Sequence, residues 1–267
     1  YIASVEVSKL QGSYIAPSDA QAAIGALGAD WLAAHKTAVK PSTYHSDESA
    51  WRIHVEPKWG ECRVGSIRHT EISAWVAELS DSKSPTTVKR VHGVLASILD
   101  GAVRDRRISA NPARDVKTPR KASKPRAYLT HRQVERLALA SRHPDFIRFL
   151  SYTGLRWGES AGLRVKHVDV KRRRVQVEEN AVIVNGRFQV GTPKTHERRA
   201  VPYPAFLDDA IKSATKGKSG DAILWPADEG GYLRPGNAQS GWFTGAVKRV
   251  RAEDAKAVAE AKAKKQP

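Results

Sequence analysis

From Asp19 to Val103 the apolar residues of this chain recur at helical spacing, whereas from Val168 onward they alternate. Between the two regimes lies Lys117 to Arg126, with five basic residues, two prolines and no acid. One packed layer cannot satisfy both periods, so the change predicts a multi-domain chain, all-α first and mixed α+β second. With 267 residues, 40% of them hydrophobic, there is enough apolar surface to fill two modest cores.

In the first half, Ala23, Ile24, Leu27, Trp31 and Leu32 share a helical face, with Ser18 or Asp19 as the expected cap. Pro41-Ser42-Thr43-Tyr44 starts a second helix running to about Val55, with Trp51 on its apolar face. Thr70 is the expected cap of a third, carrying Ile72, Trp75, Val76 and Leu79. Ser84-Pro85-Thr86 opens a fourth, striped by Val88, Val91, Val94, Leu95, Ile98, Leu99 and Val103. These four helices predict an α domain over residues 19–112, ended by Asn111-Pro112. Residues 1–18 read as a linker from a preceding region and residues 113–127 as an extended basic linker.

Residues 128–267 form the second domain. Thr130 begins a helix with Val134 and Leu137, and another runs from Pro144 through Leu150 to Thr153-Gly154. Val168, Val170, Val175, Val177, Phe188 and Val190 then alternate, which predicts a small antiparallel sheet. Asn185-Gly186 marks a hairpin. A second hairpin is expected around Lys194 to Glu197, returning through Ala200-Val201-Pro202. Gly241 to Lys265 reads as a helix whose apolar face fades after Val258.

The charge points to a partner. Lys plus Arg is 45 against 28 Asp plus Glu, a formal +17, so the chain should carry a strong positive field and bind a polyanion. The basic residues are spread through Trp-containing, folded segments rather than one amphipathic helix, which favours nucleic acid over a membrane. No apolar run is long enough to span a bilayer and none reads as a signal peptide, so an intracellular, cytoplasmic location on host DNA is expected. The single cysteine, Cys62, excludes an intrachain disulfide and is expected to be a partly buried hydrophobe. No methionine is present even at position 1, which predicts a fragment of a longer protein.

Two clusters carry chemistry. In Thr153-Gly154-Leu155-Arg156-Trp157-Gly158-Glu159, an arginine at a glycine-flanked helix start can present its planar fork beside free backbone N–H groups, which suits phosphate oxygens. An ordinary Arg–Glu surface pair at a helix terminus fits those residues as well. In Gly191-Thr192-Pro193-Lys194-Thr195-His196-Glu197-Arg198-Arg199, a lysine at a hairpin tip can reach into a groove, or simply be solvated.

In this order the clusters resemble something specific. Arg-x-x-Glu after Thr-Gly-Leu, then a Lys-Thr hairpin ending in Arg-x-Val-Pro, resembles the first half of the catalytic domain of tyrosine recombinases of the phage-integrase family. The α domain is similar to that family's four-helix, SAM-like core-binding domain through Trp31, Pro41 to Tyr44, Pro57-Lys58-Trp59-Gly60, Ile72, Trp75, Ser84 to Val88 and Asn111-Pro112. The resemblance covers nearly all of residues 19–250.

The resemblance implies a clamp around double-stranded DNA at attachment core sites and site-specific integration or excision through a 3′-phosphotyrosyl intermediate, with no metal or cofactor. Arg156 would stabilise the phosphoryl transition state bidentately. Lys194 would protonate the departing 5′-oxygen. Glu159 would orient Arg156 without reacting. His196, with Arg198 two residues on, is read as a neighbour of Lys194 that touches phosphate, and Thr195 and Arg198 join it on the DNA side.

Further DNA contacts are expected from Lys40, Thr43, Tyr44, Thr86, Thr87, Lys89, Arg90, Arg104, Arg106 and Arg107, and from the linker residues Lys117, Arg120, Lys121, Lys124 and Arg126. The family's later His-x-x-Arg motif, its further His or Trp, and its tyrosine do not follow between Gly241 and Pro267. Tyr152, Tyr203 and Tyr232 stand too early to match the nucleophile. The catalytic domain is therefore expected to be incomplete at its C-terminus, and the chain to be monomeric in solution and to bind DNA without cleaving it. The longer protein would act as a homotetramer on DNA, with accessory or directionality factors. The rival reading is a non-catalytic DNA-binding regulator, which gives the Arg156 and Lys194 clusters no role. A metal-dependent nuclease would need clustered carboxylates, and the sequence shows none.

Overall fold

The computed structural model describes residues 15–16, 18–123, 125–192, 198–235 and 241–263. The chain divides into two compact units, Tyr1–Pro125 and Arg126–Pro267, each with its own apolar core.

The first unit is helical. Helix α1 spans Ile24–Ala38 and α2 spans Pro41–Ala50. A π-helical segment, Trp51–Val55, then leads into one turn of α3, Glu56–Trp59. Pro57 offers no N–H, and its ring would collide with the carbonyl four residues back, at Ile53, so the ladder widens there. Helices α4, His69–Ser82, and α5, Pro85–Arg104, complete the unit.

Two expected caps are placed differently. Ser18 and Asp19 lead only into a 3₁₀ turn, Asp19–Gln21. The first N–H groups of α1, those of Ile24 and Gly25, instead donate to the carbonyls of Cys62 and Gly60, each at 2.9 Å. A carbonyl from a neighbouring loop satisfies them as well as a side chain would. Nor does Thr70 cap α4, which starts one residue earlier, with the Arg68 N–H donating to the Glu71 carboxylate at 2.8 Å. Ser84 does cap α5, its hydroxyl accepting the Thr87 N–H at 3.2 Å.

The α5 stripe is buried from Val88 to Ala102, together with Trp51, Trp59 and Trp75. Cys62 is half-buried against this core. Helix α1 crosses Trp51 at Gly28, where a Cβ would lie 2.0 Å from the indole Cη2, so only glycine fits without displacement. The core also runs past Pro112, since Ala113 and Val116 are buried in it. Asn111 holds that end, donating to the Ala96 carbonyl (2.8 Å) and the Asp100 carboxylate (2.7 Å) while accepting the Ala113 N–H (2.8 Å).

In the second unit, α6 (His131–Leu139) is capped by Thr130 through a reciprocal pair with Gln133. Helix α7 spans Pro144–Thr153 and α8 spans Trp157–Ala161. Strands β1 (Val168–Asp169), β2 (Arg174–Val177) and β5 (Arg199–Pro202) form an antiparallel sheet with β2 in the middle. Strands β3 (Asn180–Val184) and β4 (Arg187–Gly191) form a separate hairpin. Its turn is Asn185-Gly186, with φ of 50° and 73°, as the dipeptide demands.

The turn of the expected second hairpin, Lys194 to Glu197, lies outside the described residues, and the returning strand β5 pairs not with β4 but with β2, Val175 opposite Val201 and Val177 opposite Arg199. Val175 and Val177 are fully buried and need a partner strand over the core, whereas Val190 on β4 is 44% exposed and provides no such face. Helices α9 (Asp208–Thr215) and α10 (Trp242–Ala263) follow. The inner face of α10 is made by Ala246, Val247 and Val250 against Leu137, Ala138 and Ile147. It ends there rather than at Val258, which is 55% exposed.

Candidate active site and nucleic-acid interface

Gly154 ends α7 in the left-handed conformation, φ 63°, and turns the chain so that Leu155 is buried and Arg156 stands at the start of α8. Helix α8 is pressed onto β3. A Cβ on Gly158 would lie 2.2 Å from Asn180 Oδ1 and 2.7 Å from the Ala181 carbonyl oxygen. That close approach sinks Glu159 into the unit, where it is 1% exposed.

The Glu159 carboxylate is met from two sides. Arg156 donates to it through its side chain (Nη1 to Oε1, 2.9 Å) and its own backbone N–H (to Oε2, 3.0 Å). Arg199, carried in by β5, grips both oxygens, Nη2 to Oε2 at 2.7 Å and Nη1 to Oε1 at 3.2 Å. Burial alone would push the Glu159 pKa up. The hydrogen bonds from Arg199 and from the Arg156 backbone and side chain outweigh it and hold the carboxyl below its ordinary value.

This arrangement departs from both sequence-based pictures of the cluster. The Arg156 N–H is not free for a ligand, because Glu159 takes it. The Arg–Glu pair is not a surface pair either, because its carboxylate is buried and shared. The Arg156 side chain is still 55% exposed and that of Arg199 36%. A buried carboxylate bonded by both arginines sets the direction of each, and the half-exposed guanidinium of Arg156 suits an anionic oxygen pair.

Arg199 carries no role in the sequence reading beyond its place in Arg-x-Val-Pro. The available signal was spacing: it stands three residues after His196. Lys194, Thr195 and His196 lie outside the described residues, as does Lys124. Arg198 is exposed. The three tyrosines are committed to the fold. Tyr203 is buried, Tyr152 bonds His131 at 2.8 Å, and the Tyr232 hydroxyl accepts from Arg164 at 3.2 Å.

In the first unit, Thr86, Lys89 and Arg90 on α5 meet Arg120 and Lys121 around one cleft of about 830 Å³. Trp31, His35 and Asp47 form its other wall. Arg90 is paired with Asp47 at 2.7 Å. Thr87 is half-buried and engaged in the α5 cap. Lys40, Thr43 and Tyr44 lie at the start of α2 and do not line the cleft. Arg106 and Arg107 follow the far end of α5, about 30 Å along its axis from Thr86. Arg107 instead lines a recess with Val64 and Ile108. Lys117 and Arg126 are exposed. Asp47 and His35 were not anticipated, because nothing in the sequence pairs an α1 histidine with an α2 acid.

The chain thus combines a helical unit carrying a basic cleft with an α+β unit in which two arginines share a buried carboxylate. Residues 25–119 match the phage integrase central domain, and the chain is similar to tyrosine recombinases of the phage-integrase family. It is 27% identical to the integrase of Mycobacterium phage L5 over 215 residues, 76% of this chain and 56% of that protein. Its fold is like that of the Tn1549 transposon integrase solved with a circular intermediate DNA, with TM-score 0.68, 23% identity, and coverage of 79% of this chain and 73% of that one. It is also like that of a lambda integrase tetramer bound to a Holliday junction, with TM-score 0.63, 13% identity, and coverage of 81% and 63%. The chain spans about half the length of the curated relatives it matches. Among the described residues no helix is long and apolar enough to cross a membrane.

Proposed function

We propose that this chain is the DNA-binding and first catalytic portion of a site-specific recombinase. In that protein a tyrosine attacks the scissile phosphate of an attachment core site, giving a 3′-phosphotyrosyl link and a free 5′-hydroxyl that reverses the step on the partner strand. The observation that carries this reading is the Glu159 carboxylate buried between Arg156 and Arg199. Beyond tying β5 to α8, this buried charge directs the half-exposed Arg156 side chain, and a non-catalytic DNA binder has no use for that direction.

Arg156 is the group that meets the equatorial phosphate oxygens, where negative charge grows in the transition state. Glu159 aims it and takes no proton. Lys194 is the proposed general acid for the 5′-oxygen. The α unit is the proposed core-binding domain, and assembly on two sites is proposed to need four copies. No tyrosine matches the nucleophile within residues 1–267, so this stretch alone is expected to bind without cleaving.

The test is a nicked duplex bearing the attachment site, incubated with the full-length gene product and run under denaturing conditions. A protein–DNA adduct is expected, and its absence would sink the assignment. Residues 1–267 alone should shift the duplex and give no adduct. Changing Arg156 to Ala in the full-length product should abolish the adduct while retaining the shift.

A further inference from the structure

We propose that Arg90 reads a base, and that its guanidinium fork addresses the N7 and O6 edge of a guanine in the major groove while the cations beside it hold phosphate. The inference rests on the DNA-binding reading above and goes beyond it by giving one side chain a sequence-reading role.

The argument begins with what holds Arg90. Ser97 accepts the indole N–H of Trp31 at 3.0 Å. The Trp31 ring stacks on His35, with centroids 4.4 Å apart and planes 19° from parallel. His35 Nε2–H donates to Asp47 Oδ2 at 2.9 Å, and Asp47 Oδ1 accepts from Arg90 Nη1 at 2.7 Å. The middle of this chain is shielded, with the His35 and Asp47 side chains 18% and 15% exposed, while Arg90 at the end is 43% exposed. A relay of five side chains therefore fixes one arginine that faces solvent.

Glu159 is one carboxylate shared by two arginines, whereas Asp47 meets a single arginine, Arg90, at 2.7 Å, and so cancels much of the charge with which Arg90 would attract phosphate. A base edge is different. Guanine N7 and O6 are neutral acceptors, and what they demand is direction, two parallel N–H groups of a planar fork held in place. Asp47 engages one of the five donors of the guanidinium, and the Arg90 side chain stays 43% exposed. Lys89, Arg120 and Lys121 line the same cleft and, among the described residues, have no carboxylate partner. Their full charge suits the backbone.

The helix face fits the role. Thr86, Lys89, Arg90 and Gly93 recur at helical spacing on the side of α5 opposite its buried stripe, up to Ser97, where Trp31 covers the helix. A Cβ on Gly93 would meet nothing within 4 Å, so the surface one turn beyond Arg90 is open. An α-helix enters a groove about 12 Å wide with such a face inward.

The experiment is selection from a random duplex pool by residues 1–267, comparing the unaltered chain with Arg90→Lys and Asp47→Asn, followed by affinity against salt on the selected site. The unaltered chain is expected to enrich a site with an invariant guanine. Arg90→Lys keeps the charge and loses the fork, so it should accept any base at that position. Its affinity for the selected site should fall about 5- to 100-fold, with the salt dependence unchanged. Asp47→Asn should relax the same position while raising affinity for unrelated sequences, which a merely structural ion pair would not do. Circular dichroism of both variants separates these effects from misfolding.

Retention of the full base preference by Arg90→Lys would overturn the inference. So would a uniform loss on all sequences in Arg90→Gln with a salt slope smaller by about one, which marks a phosphate contact. An unaltered chain that binds duplex with no selected sequence overturns the base-reading role and leaves DNA binding standing. An unaltered chain that binds no duplex overturns both.

Discussion

Arg199 holds Glu159 of α8 through both carboxylate oxygens, at 2.7 and 3.2 Å, from strand β5 and 40 residues further along the chain. Arg156 reaches the same carboxylate from within its own helical turn. The long-range partner is therefore expected to matter more to folding. Replacing Arg199 with Met should destabilise the second unit by about 2–3 kcal/mol, in the range for hydrogen bonds to a buried charge. Replacing Arg156 with Met should cost about 1 kcal/mol, since the Arg156 backbone N–H still serves Glu159. Urea denaturation of the two variants measures the difference, and equal losses would show that β5 is not what anchors the carboxylate.

Two glycines fix close approaches that no other residue permits. Gly158→Ala would drive a methyl group into the Ala181 carbonyl oxygen of β3, at 2.7 Å. Gly28→Ala would drive one into the ring of Trp51, at 2.0 Å. Each should cost about 1–3 kcal/mol, the usual penalty of overpacking. The two should differ in their second effect. Gly28→Ala should alter the tryptophan fluorescence of the first unit, while Gly158→Ala should loosen the Arg156–Glu159 geometry, seen as weaker protection of the Arg156 amide in hydrogen exchange.

How far the sequence foretells these features depends on whether they are local. The α5 stripe, its Ser84 cap, the Thr130 cap and the Asn185-Gly186 turn all follow from residues a few positions apart, and each is present. The cap of α1 comes from a loop near residues 60–62, so Ser18 misleads. The pairing of β5 with β2 is likewise set by which valines need cover, which no dipeptide announces. At the site, Arg156 and Glu159 share a turn and are legible together. Arg199 joins them only after the strands pair, and Asp47 meets Arg90 only after α2 packs against α5.

The basic cleft predicts how DNA affinity responds to salt. Arg120 and Lys121 line it and have no carboxylate partner among the described residues. Replacing both with Gln should reduce the slope of log affinity against log salt by about two, since each phosphate contact contributes about 0.9. The loss should be the same on every sequence. The same change at Arg106 and Arg107, at the far end of α5, should leave the slope unaltered if α5 enters the groove from its Thr86 end. Fluorescence anisotropy with a labelled duplex across a salt series gives both slopes.

Acid should weaken the second unit through His167. This ring is 5% exposed and accepts the Arg164 N–H on Nδ1 at 3.1 Å, which it can do only when that nitrogen carries no proton. Burial lowers its pKa, outweighing the upward pull of Glu179 and Glu178. The unfolded chain therefore binds the proton more readily than the folded one. The contribution is complete above the ordinary imidazole value, near about 6.5, and is lost as the pH falls from there toward the lower folded value. His167→Asn places an amide oxygen where Nδ1 accepts and removes the titration. Urea midpoints between pH 8 and pH 5, two conditions about which the ordinary value is roughly centred, should fall more steeply for the unaltered chain than for the variant. His54 is also held low by burial and by Lys83, but it titrates in both proteins and drops out of the comparison. Parallel curves would mean that the protonated ring finds another partner, with the Arg164 turn opening at no cost to the fold.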